Sequence, residues 1–297
     1  MVDLHTHSNI SDGDLSPEML VKEAAKQGLR AIALTDHDTI GGLDSAKTAA
    51  RRENFHFIPG IEININWAGG KSAHGAPGLG PGGEFHLLGL GINAPSPAFI
   101  KAVEELSRRR EARNREILDR MHEFSIEATW DELLALSGSG GGHSIGRPHF
   151  AALLVKRKIV RNPNQAFARY LGVGKPFYVP KDGIVFEEAA ALIRESGGIP
   201  VLAHPISLYV AWGRLPDLIK TLKDLGLMGL EAWHPTAKPG SCRRLEALAK
   251  HLNLYVTEGS DYHGSVRRDR RLGYSGKGRK IDDAVLEAIP ELVKASL

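Results

Sequence analysis

The sequence predicts an α/β barrel whose functional site lies at the carboxyl ends of its strands. Short apolar runs that indicate buried strands alternate with segments of helical periodicity, a pattern typical of parallel βαβ units. Histidine and acidic residues follow or end these apolar runs repeatedly along the chain. In a barrel of this class the carboxyl ends of the strands meet on one rim, so we expect these side chains to converge there.

The first part of the chain shows the alternation clearly. A strand is predicted at residues 2–7, and a helix near residues 17–27, where Ser16 can cap the helix and Pro17 suits its first position. The remaining predicted elements of this part are a strand at 31–35, a helix at 40–54 and strands at 55–59, 61–67 and 87–90.

Two segments interrupt the alternation. Residues 69–83 are rich in glycine and proline and should form a loop near the site rim. An inserted hairpin is favoured for this loop over a lid. Residues 96–174 have helical rather than strand patterns. The helices predicted there lie at 100–124, 130–136, 147–155 and 162–171.

The barrel pattern resumes after this helical segment. The predicted elements are helices at 186–196, 215–225, 241–252 and 282–292 and strands at 199–202, 227–233 and 254–259. We therefore assign residues 1–97 and 176–297 to the barrel. Residues 98–175 are expected to form a helical insertion over the barrel mouth.

Composition excludes several classes of protein. The 297 residues are 42% hydrophobic and 25% charged, which is ordinary for a globular barrel with one insertion. The net charge of +3 is too small to indicate polyanion binding by itself. The single cysteine, Cys242, excludes an internal disulfide, and no apolar run approaches the roughly 18–20 residues that span a bilayer. We expect a cytoplasmic protein that does not bind membranes.

Six histidines and three acidic residues repeat the same context beside predicted strands. His5 and His7 lie two positions apart in an extended segment, so their side chains share one face of the strand with Asp3. Imidazole is the commonest metal ligand in proteins, and a carboxylate often holds its second nitrogen. One His-x-His motif is a weak signal, but its repetition predicts a metal site. The motifs are DLHTHS, TDHD, GIE, FHLLG, AHP and GSDYHG.

The series of motifs resembles the polymerase-and-histidinol-phosphatase (PHP) family of metal-dependent phosphoesterases. The resemblance covers residues 1–97 and 176–297, with the motifs in the order of the family. It implies a distorted (β/α)7 barrel with two or three divalent ions (Mn²⁺, Fe²⁺ or Zn²⁺) that hydrolyses phosphate esters. Two neighbouring divalent ions can acidify a water molecule and hold the oxygens of a phosphate group.

The resemblance also implies three metal sites, of which the first two share one bridging carboxylate, Glu62. Their ligands, site by site, would be His5, His7, Glu62 and Asp261; Glu62, His86 and His204; and Asp12, His37 and His263. Asp12 departs from family members that carry histidine at this position. A carboxylate makes the third site harder and favours Mn²⁺.

The group that protonates the leaving group is less well defined by the sequence. Asp36, beside His37, and His234, at the end of a predicted strand, are the candidate catalytic residues. For Asp36, the orientation of His37 is the favoured alternative. For His234, simple surface exposure stays an open alternative.

Basic residues indicate where a phosphorylated substrate binds. Arg147, Lys175 and Tyr178 resemble motifs of the family branch that carries such an insertion, and an arginine can hold phosphate through two hydrogen bonds. Solvent exposure is the alternative for Arg147 and Lys175. The basic run at 108–115 is expected to form a solvated face, whereas the run at 267–271 follows the GSDYHG motif and can guide a polyphosphorylated substrate.

The resemblance therefore implies a phosphoesterase for a small phosphorylated substrate. The branch it is most similar to removes the 3′-phosphate of nucleoside 3′,5′-bisphosphates or trims short RNA from 5′ to 3′. The alternatives are a phosphatase of another small metabolite, such as histidinol phosphate, and a noncatalytic metal-dependent nucleic-acid-binding module. All nine ligand positions are intact, which argues against the noncatalytic alternative. The oligomeric state stays open.

Overall fold

A computed structural model describes residues 1–67, 83–137 and 145–294 of the chain. The strands are β1 (Val2–Thr6), β2 (Ala31–Leu34), β3 (His56–Asn66), β4 (His86–Leu90), β5 (Ile184–Val185), β6 (Ile199–Leu202), β7 (Gly229–Trp233), β8 (Tyr255–Glu258), β9 (Tyr274–Ser275) and β10 (Arg279–Lys280). The helices are α1 (Pro17–Lys26), α2 (Leu43–Glu53), α3 (Pro97–Glu123), α4 (Trp130–Leu136), α5 (Arg147–Lys156), α6 (Pro163–Ala166), α7 (Phe186–Glu195), α8 (Leu215–Asp224), α9 (Pro239–His251), α10 (Ala284–Glu287) and α11 (Pro290–Lys294). Most of the predicted glycine-rich loop lies outside the described residues.

Seven strands form one sheet that curves into a nearly closed barrel. Their order is β1-β2-β3-β4-β6-β7-β8, and the short β5 pairs with the end of β3. A parallel bridge between Thr6 and Tyr262 joins the end of β1 to the segment after β8. All neighbours in the barrel are parallel except β4, which runs antiparallel to both β3 and β6. The predicted distorted (β/α)7 barrel is thereby confirmed, and β4 is its distortion.

The structure joins two predicted strands into one. Separate strands at 55–59 and 61–67 were expected, but β3 is continuous. Its first part pairs with β2 as far as Pro59, and its second part pairs with β4 from Gly60 onward. Pro59 has no N–H group to donate, but it lies where β3 changes from one partner strand to the other. The hydrogen-bonded pairing therefore continues on either side of Pro59. A side chain at Gly60 would meet Gly89 O at 2.9 Å, so only glycine allows β4 to approach this closely.

Two predicted helices are shorter than expected. The helix expected at 282–292 is two helices, α10 and α11, and the second begins at Pro290. Proline interrupts a helix but suits its first turn, which explains the division. The helix expected at 162–171 is α6 followed by a π-helical turn at Phe167–Leu171. Within the described residues, no helix combines the length and apolar character needed to cross a bilayer.

The helices between β4 and β5 have an apolar cluster of their own. Ile117 and Met121 of α3 pack in this cluster with side chains from α4, α5 and the π turn. The first half of α3 instead buries Phe99, Val103 and Leu106 in the barrel cluster. The long helix thus connects the two groups of apolar side chains. The predicted boundary of an insertion at residues 98–175 stays a prediction.

A buried glutamate at the end of β8 makes stability depend on pH. Burial raises the pKa of Glu258 to about 7, despite the nearby Arg279. The folded protein therefore binds this proton more tightly than the unfolded chain does. Glu258 thus lowers the free energy of unfolding as the pH rises from about 4.5 to about 7, by up to about 3 kcal/mol.

We expect Glu258→Gln to remove this contribution. The free energy of unfolding, measured by urea denaturation at pH 5 and pH 8, should therefore fall less between these two pH values in the variant than in the unsubstituted protein. Glu116→Gln, on the exposed face of α3, should show no such difference. An identical pH dependence in Glu258→Gln and the unsubstituted protein would contradict the assignment.

Candidate functional site

The nine side chains that the sequence suggests as metal ligands lie together at one rim of the barrel. This rim contains the carboxyl ends of the parallel strands and the first residue of the antiparallel β4. His86 therefore reaches the same rim as His5 and His7, which lie at the end of β1. His204 and Asp261 adopt left-handed backbone conformations, with φ of 28° and 51°. Such strained residues are commonly found at functional sites.

Glu62 lies at the centre of the cluster, and its two oxygens face different neighbours. Oε2 lies 3.3 Å from both His5 Nε2 and His7 Nε2. Oε1 lies 2.8 Å from His86 Nδ1 and 2.9 Å from His204 Nε2. A carboxylate placed between two groups of imidazoles has the geometry expected of a bridging ligand.

Two aspartates complete the outer parts of the cluster. Asp261 Oδ1 lies 3.3 Å from His7 Nε2 and 3.6 Å from His5 Nε2. Asp12 Oδ1 lies 3.1 Å from His263 Nε2. Potential ligand atoms of His7, Asp12, His37 and His263 also lie within 4.8 Å of one another. The nine suggested ligands thus lie in overlapping groups of ligand-type atoms, and His5, Glu231 and His234 form a further such group among the described residues.

Burial and neighbouring charges shift the pKa values of several residues in the cluster. Burial raises the pKa of Glu62, but His37 and His86 outweigh burial and hold this pKa well below its usual value. Burial lowers the pKa of His37 to about 3. Burial also lowers the pKa of His7, but its hydrogen bonds to Asp261 and Glu62 raise it to about 10. The carboxylates thus attract positive charge, which divalent ions can supply in place of protons.

The residues present fit a cluster of divalent ions. Asp12 Oδ1 and His37 Nδ1 are buried and form no hydrogen bond of acceptable geometry within the described part of the chain. Buried polar atoms are rarely left without such a partner. Mixed imidazole and carboxylate donors are typical ligands of Mn²⁺, Fe²⁺ and Zn²⁺.

Glu231 supports the cluster from β7, and the sequence analysis assigned it no role. Its Oε1 lies 2.9 Å from His5 Nδ1, and its Oε2 accepts a hydrogen bond of 2.7 Å from the backbone N–H of His204. One carboxylate therefore orients ligand-type residues from two strands. A single acidic residue inside the apolar run Leu227–Trp233 was the available signal.

The two candidate proton donors lie behind the cluster. Asp36 is buried and accepts hydrogen bonds from Ser8 N–H, Ser8 Oγ and Ser11 Oγ at 2.6–2.8 Å. Asp36 therefore fixes the loop that carries Asp12. His234 is buried rather than surface-exposed, and its Nε2 lies 3.3 Å from Asp261 Oδ2. Neither is among the described residues that line the cavity above the cluster.

A cavity of about 270 Å³ opens above the cluster. The predicted ligands form one wall, and cationic side chains surround the rest. The lining cations are Arg110, Arg113, Arg147, Lys181 and Arg267. Arg147 and Arg267, the first residue of the basic run at 267–271, thus line the cavity. Lys175 is exposed, and neither Lys175 nor Tyr178 is among the described residues that line the cavity. The ring of Tyr178 lies 6.0 Å from the guanidinium of Arg147, which does line it.

The expectation of a solvated basic face on α3 is wrong for two of its arginines. Arg110 forms an ion pair with the buried Asp38, and Arg113 Nε donates a hydrogen bond of 3.0 Å to Val179 O. These positions continue the buried stripe of Leu106 and Ile117 at helical spacing, which is the sequence signal for inward-facing arginines. Lys181 was also missed, and it lies 3.0 Å from His86 Nε2.

A barrel with carboxylates and imidazoles at its rim defines a metal-dependent hydrolase. A profile of the PHP domain matches residues 3–174, and the chain belongs to this family of metal-dependent phosphoesterases. The chain is 34% identical to a 5′-3′ exoribonuclease of Haemophilus influenzae, over 88% of this chain and 89% of that protein. It is 30% identical to a 3′,5′-nucleoside bisphosphate phosphatase of Chromobacterium violaceum, over 92% and 91%. A solved structure from Bifidobacterium adolescentis, assigned as a metal-dependent phosphoesterase, superposes with a TM-score of 0.81 at 28% identity and covers 98% and 96%.

We expect Glu231→Gln to weaken metal binding without removing a direct ligand. The amide keeps the size of the side chain but cannot support His5 and His204 as a charged acceptor. Losses of this kind typically reduce metal affinity about 10- to 100-fold. Competition with a chelator, followed by elemental analysis, measures the change. Glu246→Gln, on the outer helix α9, is the control, and equal affinity in both variants would contradict the role.

Proposed function

We propose that this protein removes the 3′-phosphate of nucleoside 3′,5′-bisphosphates and trims short RNA from 5′ to 3′ at the same site. The observation that carries this proposal is the cavity with ligand-type residues on one wall and cations around the other. A substrate with two phosphates suits this division, because one phosphate can face each group. The activities of the two relatives described above support the same substrate class.

The overlapping groups of suggested ligands would hold two or three divalent ions of the Mn²⁺, Fe²⁺ or Zn²⁺ class. When bound, such ions acidify the attacking water and neutralise charge on the reacting phosphate. Glu62 would position the two central groups relative to each other, since its oxygens face both. Glu231 and Asp36 would keep the surrounding side chains and loop in place.

The chain provides a separate set of contacts for the rest of the nucleotide. Arg147 begins α5 and points into the cavity, where its guanidinium can hold the phosphate that is not cleaved. Phe167 also lines the cavity, with its ring 5.7 Å from that guanidinium. An aromatic face beside a cation suits a nucleobase, which stacks on such surfaces.

Metal content tests the chemical part of the proposal. Protein purified without a chelator should contain two to three divalent ions per chain by elemental analysis. Glu62→Gln should lose metal and activity together, because its carboxylate faces two groups of ligands at once. Glu111→Gln, exposed on α3, is the matched control. Full activity with one ion or none would contradict the polynuclear site.

Substrate preference tests the nucleotide part. A nucleoside 3′,5′-bisphosphate should exceed the matching 3′-monophosphate at least about tenfold in kcat/KM, equivalent to roughly 1.4 kcal/mol. Binding energy from a remote phosphate can be used to accelerate the reaction at the other.

Arg147→Ala should reduce this preference while metal content stays the same. Arg115→Ala removes a cation from the exposed face of α3 and should keep the preference. Equal turnover of the two nucleotides by the unsubstituted enzyme would refute the nucleotide assignment. Faster turnover of histidinol phosphate would refute it as well.

A further inference from the structure

A carboxylate that is not among the nine suggested ligands lies among the cations of the cavity. Glu84 Oε1 lies 2.6 Å from Arg147 Nη2 and 3.5 Å from Lys181 Nζ. The other carboxylates among the described lining residues are Asp12, Glu62 and Asp261, all suggested metal ligands. Glu84 Oε2 also lies 4.0 Å from His86 Nε2, but its shorter contacts are with the two cations.

The backbone of Glu84 is fixed beside a suggested ligand. Its N–H donates a hydrogen bond of 3.0 Å to Ser207 O, and Ser207 Oγ donates one of 3.1 Å to Glu84 O. The same Ser207 Oγ lies 2.6 Å from His204 Nδ1. The preceding Gly83 is equally constrained, because a Cβ there would meet Ser207 O at 2.0 Å. Only the side chain of Glu84, which is 46% exposed, is left to change direction.

The other lining cations have different partners. Arg110 pairs with Asp38, and Arg267 Nε lies 3.3 Å from Asp269 Oδ1. Arg113 donates to the carbonyl of Val179. Arg147 and Lys181 are therefore the lining cations whose carboxylate partner is Glu84. An anion that enters the cavity finds these two cations already occupied by a group of the protein itself.

We propose that Glu84 is an internal counter-ion at the subsite for the phosphate that is not cleaved. This inference rests on the proposed function. A phosphate dianion can accept more charge-assisted hydrogen bonds from Arg147 and Lys181 than one carboxylate can, so it displaces Glu84 towards solvent. A ligand with a weaker anion, or with none at this position, leaves Glu84 in place. Glu84 thereby selects ligands that carry a second phosphate, at the expense of their absolute affinity.

Competition by a nucleotide tests this inference in the full-length, metal-loaded enzyme. Adenosine 5′-phosphate is titrated as an inhibitor of p-nitrophenyl phosphate hydrolysis. Glu84→Gln keeps the size of the side chain and removes the competing charge, so the inhibition constant should fall about fivefold or more. Glu111→Gln removes a carboxylate that pairs with the exposed Arg115 and should keep the original constant.

A double variant distinguishes tighter binding through Arg147 from a nonspecific effect of removing one negative charge. Adding Arg147→Ala to Glu84→Gln should abolish the gain, because the freed cation is then missing. An unchanged or higher inhibition constant in Glu84→Gln with normal metal content would overturn the inference. A gain that persists in the double variant would overturn it too. Should Glu84→Gln fail to fold, Glu84→Asp replaces it, with a smaller gain expected because the shortened carboxylate bonds the cations less well.

Failure of the counter-ion inference can be distinguished from failure of the proposed function. The inhibition assay uses no substrate with two phosphates and no comparison between bisphosphate and monophosphate turnover. An enzyme without preference for bisphosphates would refute the proposed function. The dependence of inhibition on Glu84 and Arg147 would still decide whether this carboxylate is a counter-ion.

Discussion

Glu62 places a negative charge inside the barrel, where burial by itself makes the ionised form costly. Imidazoles from four strands or from the short segments directly after them compensate for that cost, at distances of 2.8–3.3 Å. Each of these histidines is in turn oriented by the carboxylate. The relative positions of the strand ends at this rim are therefore tied to one shared side chain, and the wider site is built around it.

The reversal of β4 is what allows Glu62 to have imidazoles on both sides. β3 changes from parallel pairing with β2 to antiparallel pairing with β4 at Pro59 and Gly60. Because β4 runs in the opposite direction, its first residue, His86, lies at the rim where the parallel strands end. A parallel strand would have to place a histidine at its last residue instead. The irregularity of the barrel is thus part of the construction of the site.

The sequence predicts the ligand wall of the cavity much better than the cationic wall. The ligand-type residues follow local strand signals, and parallel strands bring their carboxyl ends together whatever the details of the loops. The cationic wall depends on the path of α3 across the barrel mouth, which no local pattern specifies. Arg110 and Arg113 therefore looked solvated, although their spacing continues the buried stripe of the helix. Lys175 shows the opposite case, since its motif resembles a family feature but its side chain is exposed.

Crowding of positive charge on that wall explains why protein carboxylates accompany it. Burial, together with the nearby Arg147 and Arg110, lowers the pKa of Arg113 to about 10. Such neighbours repel one another in a partly desolvated cavity, so a wall of unpaired cations would destabilise the folded protein. Asp38 and Glu84 each neutralise part of this wall, but Asp38 is buried whereas Glu84 is half-exposed in the cavity. The buried pair fixes α3 to the barrel, and the exposed pair leaves a position where a phosphate can take the place of the carboxylate.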